Sequence, residues 1–229
     1  MKVVVAHLSD IHFKSHHNQV HGREGEIASA IASCARLAEG CFIVVSGDVA
    51  FSGRVDEYQV AAKFLKRIFE MLKREINGCS FNIIIVPGNH DCDFTVQNAV
   101  RTLMLNNGEQ ILEGLDKDDN SIVGVLTRVQ DNFFSFLAEL EMELQPGRNG
   151  ETARALLLGY ERLHYKREFT IKDQNFRFDC YNSAWTSQLH EKQAQLIFPV
   201  LGWGIDSAKA DLNISTFHHP TRWLESNNA

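Results

Sequence analysis

The sequence predicts an α/β fold built on a largely parallel sheet, and three observations carry that prediction. Ile83, Ile84, Ile85 and Val86 form a run of four β-branched residues without charge, the signature of a strand buried on both faces. Val3 to Leu8 and Cys41 to Ser46 repeat that pattern, and each such run ends in a polar turn rather than in a hairpin. Helical periodicity fills the intervals, with Ile27, Ile31, Ala35 and Ala38 spaced for a helix over 24–38. Tyr58, Ala61, Ala62, Leu65, Ile68, Phe69 and Leu72 do the same over 56–76.

The turns hold the chemistry. Pro87 ends the central strand because it cannot donate to the ladder, and Gly88 allows a sharp reversal into Asn89, His90 and Asp91. The first strand delivers Asp10 and His12, and the second delivers Gly47 and Asp48. A later strand over 212–217 runs into His218, His219 and Pro220. In open α/β sheets ligands bind outside the carboxyl ends of the strands, which is where all of these residues fall. Oxygen and nitrogen donors without thiolates suit Mn, Fe, Zn or Mg in a reactive site rather than a structural zinc.

The remaining segments are read in order. Residues 13–23 are polar and read as a loop at the rim of the site, its His16, His17 and His21 solvated. Lys63, Lys66, Arg67, Lys73 and Arg74 form the solvated face of the 56–76 helix. Between 94 and 165 lies a helical insertion placed to act as a lid, with helices predicted over 96–105 and 125–144. Residues 116–120 separate the two helices, and 146–150 close the second. The aromatic stripe of Val129, Phe133, Phe136, Leu137 and Leu140 reads as core. Residues 168–171 and 176–181 alternate as a hairpin suited to the second sheet of a sandwich. A helix is predicted over 188–200, ended by Pro199, with Gly202, Trp203 and Gly204 in a loop before the last strand.

Composition sets wider bounds. A chain of 229 residues without a visible linker reads as a single domain over 1–229, large enough to bury a sizeable core. A net charge of −6 argues against a nonspecific nucleic-acid binder. No signal peptide or membrane-spanning run is present, and five scattered cysteines read as free thiols, so a cytoplasmic location is expected. Cys92, beside the site, is expected to be passive. His7 is expected to be a buried core histidine, and His164 and His190 to be structural.

Asp10-x-His12, Gly47-Asp48, Gly88-Asn89-His90-Asp91 and His218-His219-Pro220, in this order after hydrophobic strands, resemble the calcineurin-like metallophosphoesterase superfamily. The phrase 46–53 and Asn182-Ser183-Ala184-Trp185 resemble its bacterial branch of cyclic-nucleotide phosphodiesterases. The resemblance implies a four-layer αββα sandwich of two mixed sheets flanked by helices, with the helical insertion near the active site. It implies two divalent ions (Mn, Fe or Zn), with Asp10 and His12 on one, Asn89 and His218 on the other, and Asp48 bridging. His219 is then expected to line the site.

The implied activity is hydrolysis of a phosphodiester or phosphomonoester by a water or hydroxide activated between the two metals. His90 is the implied proton donor and Asp91 its orienting partner. The substrate is expected among cyclic nucleotides, nucleic acids and small phosphoesters. The family's final Gly-His-x-His is absent before Ala229, so the chain is expected to be cut short, with further domains possible beyond it. Two alternatives stand beside the enzyme: a catalytically impaired binding module, and the effector domain of a larger protein.

Overall fold

The computed structural model describes residues 1–16, 20–116, 120–144, 156–199 and 210–225. Three strands open the chain as predicted: β1 (Val3–Leu8), β2 (Gly40–Ser46) and β3 (Ser80–Val86). They pair in parallel in the order β1-β2-β3, so all three carboxyl ends reach one edge of the sheet. The central strand, β2, is buried along its whole length. Two helices link the strands, α1 (Glu24–Ala35) and α2 (Val55–Glu75). On α1 the predicted Ile31 and Ala35 are buried together with Ala28 and Ala32, while Ile27 is only partly buried and Ala38 lies beyond the helix. On α2 the predicted stripe is the buried face, with Tyr58, Ala61, Leu65, Ile68, Phe69 and Leu72 buried and Ala62 partly so. The start of α2 is capped by Glu57, whose carboxylate accepts from the backbone N–H groups of Ser52 and Arg54 at 2.9 and 3.2 Å.

The second sheet contains β4 (His164–Ile171) and β5 (Gln174–Tyr181), antiparallel through a two-residue turn at Lys172 and Asp173, with Lys172 at φ 56°. β6 (Leu212–Thr216) joins β5 in parallel, so this sheet is mixed while the described strands of the first are parallel. The two sheets face each other across aromatic rings. Phe42 of β2 lies 5.3, 5.2 and 4.8 Å from Phe169, Phe176 and Phe178. Strand alternation then turns Cys41, Ile43 and Val45 toward the helices. The expected α/β architecture of two sheets flanked by helices is present.

The helical region divides into two bodies. Helices α3 (Ala99–Leu105), α4 (Gly108–Asp116) and α5 (Asn120–Thr127) gather around Ile111, Leu115, Val123, Leu126, Leu163 and Trp185. In contrast α6 (Asp131–Leu144) belongs to the main core, and Phe136 stacks on Tyr58 at 4.9 Å. Its aromatic stripe is core, as expected. The helix predicted over 125–144 is in fact broken by a 3-10 turn at Arg128–Gln130. Val129's carbonyl there accepts from the Asp93 N–H at 2.6 Å, and the Gln130 side chain exchanges hydrogen bonds with Asn182 at 2.7 and 3.2 Å. The helix predicted over 96–105 starts later, at Ala99, where Asn98 accepts from the Arg101 N–H. α4 was not predicted.

Two further expectations are corrected. No helix forms over 188–199: Ala194 adopts φ 61°, and backbone bonds run instead to the tail, from Ala194 N to Arg222 O and from Leu196 N to Trp223 O. Tertiary pairing and the Trp185 indole, which donates to the Ile197 carbonyl, outweigh local helical preference there. His7 is exposed rather than buried, because β1 is the outermost of the described strands of its sheet, and its Nε2 bonds the Ser46 hydroxyl at 2.6 Å. The expectations for His17, for residues 117–119 and 146–150, and for Gly202, Trp203 and Gly204 fall outside the described residues.

Candidate metal centre

The loops leaving β1 and β2 run side by side and present their side chains to a common point. His12 N–H donates to the Asp48 carbonyl at 2.9 Å and Phe13 N–H to that of Val49 at 2.8 Å. Holding these loops in place requires unusual backbone. Asp10, His12 and Asp48 have φ of 54°, 53° and 54°, and they are three of the five non-glycine residues with positive φ among the described residues. Such conformations cost on the order of 1 kcal/mol each and persist where surrounding structure enforces them, typically at functional sites.

Asp48 is the hub of the cluster. Its carboxylate, 3 % exposed as a residue, has Oδ2 3.7 Å from His12 Nε2 and 3.4 Å from His218 Nε2. Two groups of ligand-type atoms share it: Asp10, Asp48 and His218, and His12, Asp48 and His90, each within 4.8 Å. His218 Nδ1 donates to the Ser46 carbonyl at 2.8 Å, which leaves Nε2 to face Asp48. Glycine at position 47, φ 93°, makes this approach feasible, since a Cβ there would fall 2.6 Å from the His218 ring. Burial works against a charge on His218, yet its bond to the Asp48 carboxylate outweighs that and pushes its pKa up to about 9. Burial likewise opposes ionisation of Asp48, but hydrogen bonding from His218 holds it below the usual carboxylate value. Burial lowers His12.

The turn after β3 supplies the rest. His90 N–H donates to Asp48 Oδ1 at 2.9 Å, and its ring lies 4.5 Å from that of His12. Its Nδ1 donates to the Phe51 carbonyl at 2.7 Å, so Phe51, and not Asp91, is the orienting partner. Asp91 points the other way, fully buried. It accepts from the N–H groups of Val49, Ala50 and Gly88 at 3.2, 2.9 and 2.9 Å and from the Tyr58 hydroxyl at 3.0 Å. Burial and the nearby Asp48 charge push its pKa up to about 6. Asp91 therefore staples two site loops together. Phe51 is exposed at the lip, with Lys14 Nζ 4.0 Å over its ring.

A family model described as calcineurin-like phosphoesterase matches residues 3–228. The chain belongs to this family. Among curated proteins, this calcineurin-like phosphoesterase is similar to the uncharacterized metallophosphoesterase-like protein YydB of Bacillus subtilis (strain 168), 28 % identical over 139 residues. It is also similar to the glycerophosphodiester phosphodiesterase GpdQ of Enterobacter lignolyticus (strain SCF1), 28 % identical over 95 residues. Those alignments cover 59 % and 39 % of this chain. The chain spans only 27 % and 30 % of the relatives' lengths.

The donor set fits a metal centre, because carboxylates and imidazoles converge on one shared, ionised carboxylate. Asp10, His12, Asp48, His90 and His218 are brought together as the sequence motifs predicted. The grouping differs from the expected one, however, since His218 sits with Asp10 while Asn89 Oδ1 bonds His219 at 3.1 Å. Sequence reading missed Glu191, whose Oε2 reaches within 3.7 Å of His219 Nε2 from the stretch expected to be helical. It also missed the Phe51 carbonyl and the Ser183 hydroxyl. A backbone carbonyl carries no compositional signal, but Ser183 lay in a phrase already singled out.

Proposed function

We propose that this protein is a phosphoric ester hydrolase acting on a phosphodiester, with phosphomonoesters as the related class, through two divalent ions held by Asp10, His12, Asp48, Asn89 and His218. The observation that carries the reading is the sharing of Asp48 between two ligand groups on a backbone bent into the left-handed region. The phosphodiesterase name of one relative supports the substrate class. When bound, such a pair of ions supplies Lewis acidity toward phosphoryl oxygens and a water that ionises near neutral pH. Mn, Fe and Zn all suit this donor set.

The chain's own residues do the rest. Asp48 orients both halves of the site, with its second oxygen pinned by the His90 N–H. His90 has its Nδ1–H committed to the Phe51 carbonyl, so Nε2 is the atom that takes and returns a proton. In its imidazolium form it donates that proton to the departing alkoxide. Five free cysteines, three of them buried, agree with a reducing, cytoplasmic setting. No helix among the described residues is long and apolar enough to cross a membrane.

A second reading of His90 comes from its place in a ligand group with His12 and Asp48, which would make it a metal ligand. The function is tested by hydrolysis of bis(4-nitrophenyl) phosphate with Mn, Fe or Zn added to metal-free protein. Metal-dependent turnover is expected. Absence of turnover with every ion, despite metal uptake, would favour the binding module.

A further inference from the structure

The two adjacent histidines after β6 point to different targets, their rings 4.8 Å apart and at 75°. His218 faces Asp48, whereas His219 is buried among Ser183, Asn89 and Glu191. Its hydrogen bonds define its tautomer. The His219 backbone N–H donates to Ser183 Oγ at 3.0 Å, and that oxygen also lies 3.0 Å from His219 Nδ1. The Glu191 carboxylate that faces Nε2 can only accept, so Nε2 carries the proton, which leaves Nδ1 to accept from the Ser183 hydroxyl. That N–H meets Asn89 Oδ1 at 3.1 Å, with Glu191 Oε2 farther off at 3.7 Å. The second Glu191 oxygen accepts from the Gln188 N–H at 3.2 Å.

From this we infer that His219 is a positioning residue that selects the orientation of the Asn89 side chain, with Glu191 and Ser183 fixing the histidine tautomer. The inference rests on the metal-donor role given to Asn89 above. A terminal amide rotates in a broad, roughly two-fold well, and its two orientations present either the oxygen or the NH₂ group to a given point. Only the oxygen binds a cation. A histidine that can only donate at Nε2 rejects the NH₂ orientation and accepts the oxygen. The second lone pair of that oxygen remains for the metal. Neighbours that orient a ligand in this way are typically worth 10- to 100-fold in metal affinity.

Mn(II) titration of the full chain, followed by calorimetry and by the electron paramagnetic resonance of free Mn(II), tests this without relying on turnover. Wild type is expected to bind two equivalents. His219→Ala should retain one at wild-type affinity and weaken the other by about 10- to 100-fold. His219→Gln, whose amide still donates, should recover most of the loss. Ser183→Ala should fall between, and it supplies the readout should His219→Ala fail to fold. Wild-type affinity for both ions in His219→Ala overturns the inference, as does equal damage in His219→Ala and His219→Gln. A wild-type protein that binds fewer than two ions instead removes the dimetal function on which it stands.

Discussion

At the scale of single residues, the two members of the central motif that sequence reading joined as a catalytic pair have separate tasks. His90 faces the site with its Nδ1 on a carbonyl, and Asp91 is buried behind it with four donors. His90→Ala is therefore expected to lower turnover of diesters with poor leaving groups by about 10²- to 10⁴-fold, the usual worth of a general acid. Esters with activated leaving groups should lose less, and metal content should stay near normal. A fall in bound metal as large as the fall in rate would make His90 a ligand. Asp91→Ala should instead destabilise the fold, by on the order of 3 kcal/mol, because three buried N–H groups lose their acceptor. Urea unfolding of the metal-free protein measures it, and unchanged stability would contradict the staple. The residue types of the site were legible because ligand chemistry admits few of them. Their directions were not, since neighbouring side chains on a 3-10 turn diverge and no sequence pattern records it.

At the scale of elements, long buried strands and strongly striped helices were legible, because burial on both faces of β2 and β3 and on one side of α2 leaves a periodic record. The stretch 188–199 was not. Its apolar residues are spent on the Trp185 and Leu224 contacts of an irregular chain, where tertiary hydrogen bonds replace helical ones. In the second sheet His164, stacked on Tyr181 at 4.6 Å, bonds Asp179 Oδ1 at 2.9 Å. Burial lowers the His164 pKa below 6.5. Burial opposes ionisation of Asp179, but hydrogen bonds from Arg177 and His164 still hold its pKa below 3.8. Both folded values are depressed, so the unfolded chain binds more protons, and stability from this pair is lost as pH falls. The histidine contribution fades below pH about 6.5 and that of the carboxylate below about 4. Compared with wild type, His164→Gln should show a shallower loss of stability between pH 7 and 5, measured by thermal unfolding of metal-free protein. Parallel curves for the two proteins would refute the assignment.

At the scale of the whole molecule, two sheets packed face to face bring loops distant in sequence to one point, with His218 reaching Ser46 and Asp48 across the sandwich. The motifs made that convergence foreseeable, although which histidine of the late pair meets which partner needed the fold. Ions that bind only the folded chain should raise its unfolding temperature in proportion to the logarithm of their concentration, and chelation should reverse the gain. The most direct test is the metal content of Asp48→Ala, because Asp48 alone belongs to both ligand groups. The account predicts that wild type takes up two equivalents of Mn(II) and that the variant, still folded by circular dichroism, loses both together. Retention of one tightly bound ion would show that the groups are independent, and retention of two would contradict the shared centre altogether.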